Sequence, residues 1–251
     1  MQTDQPSLEG CWALVTGAGK RIGATIARTL HAAGANVAVH YFRSAADADR
    51  VVAELNEQRA SSAIAVGGDI REIAVVERVV ADVVKHAGRL DILVNNASTF
   101  YPTPLGTVTE EHWHDLVGSN LKAPLFLAQA ALPHLKAARG SIVNIVDIHA
   151  QRPLRNYVVY GAAKAGLAML TRSLAKDLAP EIRVNGVAPG AILWPESGVP
   201  ESVQQTILKQ VPLKRTGSPE DIASAVLYLV RDATYVTGQI LAVDGGRSIG
   251  W

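Results

Sequence analysis

Short apolar stretches alternate along the chain with longer segments in which apolar residues recur at helical spacing. Seven apolar runs are bounded by Gly, Asp, Asn or Pro, as buried strands usually are; they cover residues 11–16, 36–41, 62–66, 90–95, 141–146, 182–188 and 239–243. The segments between them predict helices over roughly 22–33, 45–59, 71–87, 110–138, 157–179 and 219–231. Alternating strands and helices predict an α/β fold, with a doubly wound parallel sheet of about seven strands and helices on both faces.

Composition narrows the class of protein. The 251 residues are 48% apolar and poor in aromatics, which suits a covered parallel sheet, and we expect one domain over 1–251. The net charge of +1, with no run of five Lys or Arg, argues against nucleic acid as a partner. Cys11 has no second cysteine to pair with, and no apolar stretch reaches the roughly 20 residues of a membrane span. These features, with no signal sequence, predict a cytoplasmic protein without a membrane partner.

The first strand runs into a glycine-rich turn, and a helix follows. The turn is Thr16-Gly17-Ala18-Gly19-Lys20-Arg21-Ile22-Gly23. Glycines let the main chain approach a pyrophosphate, and the N-terminus of the helix favours its negative charge. The general dinucleotide pattern has its third glycine where Ile22 stands, so the match depends on the strand–turn–helix context. We expect a Rossmann-type dinucleotide site here.

The end of the second strand favours NADPH over NADH. Sites for NADH usually carry an acid there to bind the ribose hydroxyls, but this strand ends His40-Tyr41-Phe42-Arg43-Ser44. Arg43 could bind a 2′-phosphate through its planar fork, and Arg21 in the neighbouring turn could join it. Two solvated arginines are the alternative. We expect NADPH as the cofactor.

Five ordered motifs resemble those of the short-chain dehydrogenase/reductase family. They are Thr16-Gly17 with Gly23, Asn95-Asn96-Ala97, Tyr160, Lys164 and Pro189-Gly190. Two departures, Arg21 at the middle glycine of the turn and Asp147 at the usual serine, are similar to the pteridine reductase branch, as are the strings around 40–44 and 95–104. The dihydromonapterin and dihydropteridine reductases are closely similar.

The resemblance implies positions for the cofactor and the proton donors. The predicted cofactor residues are Gly17, Lys20, Arg21, Ile22, Gly23, His40, Tyr41, Arg43, Ser44, Asp69, Ile70, Asn96, Ala97, Ser98, Lys164, Pro189 and Gly190. Asp69 resembles the aspartate of the family that contacts adenine. The family reading also has Asn120 supporting Lys164, although an ordinary helix N-cap explains the position of Asn120 equally well.

Tyr160 and Lys164 are four residues apart on a predicted helix and therefore share a face. We expect the Lys164 ammonium to lower the pKa of Tyr160, so that Tyr160 can donate a proton during hydride transfer. Asp147 could be protonated and donate to a ring nitrogen, and the resemblance assigns it to N8 of a pterin and Tyr160 to N5. Asp147 could instead cap a turn.

The substrate-binding prediction includes Ser98, Phe100, Asp147, Tyr160 and Trp194. Phe100 offers a flat face to a bicyclic ligand, or it plugs the loop. Residues 191–211 resemble the mobile flap over the substrate, where Trp194 closes on the ligand or packs on the body. No metal is expected, because His112, His114 and His149 lack ligand spacing.

The resemblance further implies a homotetramer built on the helices 110–138 and 157–179, with the tail 247–251 at an interface and Arg247 or its neighbours reaching the adjacent active site. The expected function is NADPH-dependent reduction of a dihydrobiopterin- or dihydromonapterin-like pterin, with oxidised pterin or dihydrofolate as further candidates. Two alternatives stay open: a ketone or 3-oxoacyl reductase of the same family, and a non-enzymatic dinucleotide sensor.

Overall fold

The computed structural model describes residues 7–194 and 198–249, and its centre is one parallel sheet of seven strands. The strand order is β3-β2-β1-β4-β5-β6-β7. The strands are β1 Trp12–Val15, β2 Asn36–Tyr41, β3 Ala63–Gly67, β4 Ile92–Asn95, β5 Ser141–Ile145, β6 Arg183–Pro189 and β7 Ile240–Val243. The order reverses between β1 and β4, so a crevice opens beyond their carboxyl ends. The predicted Rossmann-type sheet is confirmed.

Helices cover both faces of this sheet, as predicted. They are α1 Arg21–Ala32, α2 Ala45–Gln58, α3 Ile73–Ala87, α4 Glu110–Val117, α5 Ala123–Ala138, α6 Val158–Leu178, α7 Glu201–Gln210 and α8 Pro219–Leu227. Leu30 of α1 and Val226 of α8 belong to one apolar cluster, while Val83 of α3 and Leu127 of α5 belong to another. Because both faces are covered, every residue of β1, β4 and β5 is buried, which explains their continuous apolar runs.

Two helical regions differ from the prediction. The helix expected over 110–138 consists of α4 and α5 joined by a π-helical turn, Gly118–Lys122. Helix α7 lies in the segment expected to be a flap, where we predicted no helix; none of its residues is buried, so it has no apolar stripe to reveal it. Residues 195–197 of that segment lie outside the described residues. No helix in the described ranges is long and apolar enough to cross a bilayer.

Candidate active site

The turn between β1 and α1 is built so tightly that two of its glycines are needed. Gly17 has a φ of +62°, and a Cβ on it would lie 3.0 Å from the Cα of Ala97. A Cβ on Gly23 would lie 2.3 Å from the carbonyl oxygen of Gly17 and 2.5 Å from Nδ2 of Asn96. The Asn96 amide donates to the carbonyl of Thr16 at 2.8 Å, which fixes the turn to the end of β4. The N-terminus of α1 is thereby held beside the crevice.

A cavity of about 1540 Å³ begins at this turn and runs past the ends of β2 and β3 to α4. We call this region the nucleotide end. Its lining includes most of the residues predicted to hold the cofactor: Gly17, Lys20, Arg21, Ile22, Gly23, His40, Arg43, Ser44, Asp69, Ile70, Asn96, Ala97 and Ser98. Glycines, main-chain amides and basic side chains are what a dinucleotide phosphate requires, so these residues fit the predicted cofactor.

Four predicted cofactor residues do not line this cavity, namely Tyr41, Lys164, Pro189 and Gly190. The ring of Tyr41 packs on Gly67, at the end of β3. Pro189 is the last residue of β6, and a Cβ on Gly190 would lie 2.6 Å from the Cβ of Asp244. Gly190 therefore allows a close approach between two segments of the chain. Lys164 lies instead beside Tyr160.

His40 braces the phosphate turn through both ring nitrogens. The main-chain N–H of Gly17 donates to Nδ1 at 3.3 Å, so the proton of the neutral ring is on Nε2, which donates to the carbonyl of Gly68 at 3.0 Å. Burial lowers the pKa of His40 to about 4. The neutral imidazole therefore links the first turn to the end of β3. Its role as a brace could not be inferred from the sequence.

The basic side chains at the nucleotide end already have partners. Lys20 forms an ion pair with Asp47 at 3.3 Å, and the guanidinium of Arg43 lies over the Phe42 ring, 4.9 Å from its centroid. Arg21 donates to the main-chain carbonyl of Trp194 at 3.1 Å. Lys20, and then Arg50, lower the pKa of Asp47 by hydrogen bonding. Sequence reasoning missed Asp47, because it is an ordinary acidic residue in the first turn of α2.

A second group, the reactive end, lies after β5 and on α6. The Tyr160 hydroxyl donates to Oδ2 of Asp147 at 2.6 Å. Oδ1 of the same carboxylate accepts the main-chain N–H of His149 at 2.8 Å and so caps a short 3₁₀ turn. The cap weighed for Asp147 is therefore present, on Oδ1, while Oδ2 accepts from Tyr160, and the role of Asp147 as an acid for a ring nitrogen stays a prediction.

The prediction that Lys164 lowers the pKa of Tyr160 is wrong, because the pKa of Tyr160 is raised. Burial, and then the Asp147 carboxylate, raise the pKa of Tyr160 well above its usual value, and a hydrogen bond from Ser98 opposes this only in part. Lys164 is itself buried, which lowers its pKa to about 8, and its Nζ donates to the carbonyl of Ile145 at 2.8 Å. The ammonium lies 5.8 Å from the centroid of the Tyr160 ring. Tyr160 accordingly stays protonated and donates a hydrogen bond to Asp147.

Asn120 is not a helix N-cap. It lies fully buried inside the π-helical turn between α4 and α5. Its Nδ2 donates to the carbonyls of Leu116 and Thr99, and its Oδ1 accepts from the Ser98 hydroxyl at 2.7 Å. Asn120 thus fixes the loop after β4, where Ser98 is exposed. A π-helical turn widens the helix at one point and is frequent at functional sites.

An aromatic group stands at the mouth of the reactive end. Phe100 is 45% exposed and stacks on Tyr157, with the ring centroids 4.6 Å apart. It also meets Tyr160 edge to face at 4.8 Å. Sequence reasoning missed Tyr157, which gave no motif signal. Trp194 is half-buried, and its carbonyl, bonded to Arg21, joins the start of the segment 191–211 to the phosphate turn.

The tail approaches the reactive end of its own chain. The carboxylates of Asp147 and Asp244 favour the charged form of Arg247, although burial lowers the pKa of Arg247 overall. Asp244 accepts the main-chain N–H groups of Gly246 and Ser248 at 2.9 and 2.6 Å, which fixes this turn. The expectation that Arg247 or its neighbours reach the adjacent active site concerns a second copy of the chain and stays a prediction. Residues 250 and 251, which we expected at an interface, lie outside the described residues.

The parallel sheet, the glycine-rich turn beside the cavity, and the group formed by Tyr160, Asp147 and Lys164 define an α/β protein of the doubly wound class. Residues 17–248 match the family model described as enoyl-(acyl carrier protein) reductase. The chain is 41% identical to pteridine reductase 1 of Leishmania tarentolae, over 94% of this chain and 96% of the relative. It belongs to the short-chain dehydrogenase/reductase family and is an oxidoreductase, and the recognised likeness to pteridine reductases is confirmed.

Ketoacyl reductases are about equally similar. The chain is 42% identical to ketoacyl reductase 2 of the granaticin polyketide synthase of Streptomyces violaceoruber, over 99% of this chain and all of the relative. It is 37% identical to the 3-oxoacyl-[acyl-carrier-protein] reductase of Staphylococcus aureus, over 93% of this chain and 96% of the relative. Overall identity therefore leaves the substrate open, and the residues of the site have to decide it.

Proposed function

We propose that this protein is an NADPH-dependent pterin reductase that produces tetrahydropterins from dihydrobiopterin- or dihydromonapterin-like substrates. The observation that carries the proposal is the 2.6 Å hydrogen bond from Tyr160 to Asp147. It puts two groups able to exchange a proton at the carboxyl end of β5. Reduction of a dihydropterin adds one hydride and one proton, at N5, and reduction of a fully oxidised pterin adds a further hydride and a further proton, at N8. A ketone needs one proton at one oxygen.

The proposed cofactor site is the nucleotide end. Gly17 and Gly23 let the main chain approach the pyrophosphate, and Arg43 meets the 2′-phosphate where an NADH site would carry an acid. Bound NADPH would supply the hydride. Lys164, held by the Ile145 carbonyl, is proposed to bind the nicotinamide ribose, in keeping with the family motif.

The proposed proton donors are the residues of the reactive end. Tyr160, whose proton is retained because of burial and the Asp147 carboxylate, donates to N5. With a fully oxidised pterin, whose reduction takes a second hydride and a second proton, Asp147 would deliver that proton at N8, while its other oxygen stays bonded to the main chain of His149. Phe100 and Ser98 are proposed to line the pterin, with Trp194 near the mouth, and Asn120 keeps Ser98 in place.

A 3-oxoacyl reductase is the second candidate, because a relative named as a ketoacyl reductase is 42% identical and one named as a 3-oxoacyl-[acyl-carrier-protein] reductase is 37% identical. Initial rates of NADPH oxidation, measured with dihydrobiopterin and with an acetoacetyl thioester, separate the two. We expect turnover with the pterin and at least a hundredfold lower kcat/KM with the thioester. This factor corresponds to the smallest contribution that one proton donor typically makes to the rate. The reverse order would reject the pterin assignment, and no turnover with either would favour a dinucleotide sensor.

We also propose a homotetramer formed through α5 and α6. Leu125 on α5 is 38% exposed and Met169 on α6 is 61% exposed. Large apolar side chains exposed on these two helices would be covered in an interface between subunits. Light scattering at micromolar concentration should give four times the chain mass of 26.6 kDa. A monomer mass would refute this assembly.

A further inference from the structure

The loop after β3 carries Arg71, to which none of the sequence motifs gives a role. The side chain of Arg71 contacts both sides of the cavity. The guanidinium of Arg71 donates to Asp69 through Nε, at 2.9 and 3.1 Å, and through Nη2 at 2.5 Å. Its Nη1 donates to Oδ1 of Asp115 on α4 at 2.7 Å. Asp69 and Asp115 both line the cavity, so Arg71 joins one wall to the other.

Arg71 occupies most of the acceptor sites of the Asp69 carboxylate and leaves room for about one further donor. Oδ1 of Asp69 also accepts the main-chain N–H of Arg71, at 3.0 Å. An ionised carboxylate offers about four lone-pair sites, and Arg71 alone supplies donors to both oxygens. Arg71 is the largest cause of the lowered pKa of Asp69. Arg71 therefore determines where the Asp69 carboxylate lies.

The rest of Arg71 is fixed as well. Its main-chain carbonyl accepts the ammonium of Lys122 at 2.8 Å, and a Cβ on Gly118 would lie 3.2 Å from its Cγ. Its guanidinium lies 5.5 Å from the centroid of the Phe42 ring, the same ring that Arg43 contacts. Since Lys122 and Gly118 are the two ends of the π-helical turn, the loop after β3 cannot move independently of that turn.

We propose that Arg71 is a positioning residue for the part of the cavity, between Asp69 and Asp115, that binds the adenine of the cofactor. It sets the distance between the loop after β3 and α4, and it fixes Asp69 for the base. The proposal rests on the proposed dinucleotide cofactor and adds a division of labour. Arg71 acts on the adenosine that NADPH and NADH share, whereas Arg43 acts on the 2′-phosphate that only NADPH has.

Calorimetric dissociation constants of NADPH, NADH and ADP-ribose, measured for wild type, Arg71→Ala, Arg71→Lys and Asp115→Asn, test this division. We expect Arg71→Ala to weaken all three ligands by the same factor, about tenfold, in line with the loss of a charged hydrogen-bond donor. Arg71→Lys should not restore affinity, because an ammonium cannot bridge two carboxylates as a planar fork does. Asp115→Asn should weaken the three ligands equally but less.

Arg78→Ala is the matched control, since Arg78 donates to Gly67 of the neighbouring segment at 3.1 Å but does not line the cavity. It should leave all three constants unchanged. A loss confined to NADPH would make Arg71 a phosphate ligand and overturn the proposal. Unchanged affinity with a lower melting temperature would also overturn it, because Arg71 would then only stabilise the fold. If wild type binds none of the ligands, the proposed function itself fails, which is a different result.

Discussion

At the nucleotide end, main-chain groups, glycines and partly exposed ion pairs line the cavity, whereas at the reactive end the side chains of Tyr160 and Lys164 are buried and hydrogen-bonded. Lys20 and Asp47 meet in solvent, with 51% and 27% of their side chains exposed. Tyr160 and Lys164 are 4% and 2% exposed. Exposed charges are screened by water and are individually weak, while buried ones shift pKa values strongly. We therefore expect substitutions at the reactive end to affect turnover, and those at the nucleotide end to affect binding.

The largest effect is expected from Asp147→Asn. Asparagine can still accept the N–H of His149, which preserves the cap, but it cannot carry the transferable proton. Pterin turnover should fall about 10²–10⁴-fold with NADPH binding nearly unchanged. Steady-state rates with the fully oxidised pterin, whose reduction needs the proton at N8, together with NADPH titrations, check both halves of this expectation.

Two further variants sharpen this test. Asp147→Ser should impair pterin reduction but leave slow reduction of an activated diketone through Tyr160, and Tyr160→Phe should abolish the diketone activity as well. If Asp147→Asn has a lower melting temperature and turns over normally per folded site, Asp147 is only a cap.

The second effect concerns stability in acid and depends on His40. Its pKa of about 4 in the folded protein is below the ordinary value of 6.5, so folding favours the neutral ring. This contribution is complete above pH 6.5 and is lost as the pH falls from 6.5 towards 4, by at most about 3 kcal/mol. Denaturant unfolding of wild type and His40→Gln between pH 7 and pH 4.5 measures it.

His40→Gln is a suitable comparison because a glutamine can accept from Gly17 and donate to Gly68 without titrating. Groups that titrate in both proteins cancel in the difference. The stability of wild type should therefore fall more steeply with acid than that of the variant. Parallel curves would show that the His40 ring is not protonated on unfolding.

The third effect is on cofactor choice. Arg43→Ala should weaken NADPH about tenfold to a hundredfold and leave NADH nearly unchanged, because a charged bond to phosphate is lost. Arg28→Ala, which removes an ion pair with Glu54 away from the cavity, is the control. Equal affinity of wild type for NADPH and NADH would remove the basis of the NADPH assignment.

The smallest effect is expected from Asp47→Asn. Removing this carboxylate releases Lys20 for the phosphates and should tighten NADPH by no more than a few-fold, since exposed ion pairs contribute little. The gain should shrink further at high salt. A weaker NADPH affinity in the variant would mean that Asp47 orients Lys20 and does not compete for it.

The predictable parts of the site were those with local spacing. Gly17 and Gly23 in the first turn, and Tyr160 with Lys164 one helical turn apart, depend on residues close in sequence, and the structure brings each group together. Arg71 and Tyr157 could not be found in this way. Their partners, Asp115 and Phe100, are 44 and 57 residues away. The π-helical turn around Asn120 was also missed, because one extra residue barely disturbs the apolar periodicity.

Hydrophobic periodicity and short motifs, which are local properties of the chain, were enough to predict the parallel sheet, most of its helices and the oxidoreductase family. The electrostatics of the site depend on how the elements pack together. Lys164 was expected to lower the pKa of Tyr160, but burial and the Asp147 carboxylate raise it. A pKa depends on desolvation and on charges from every element packed nearby, and neither can be read from spacing along one helix.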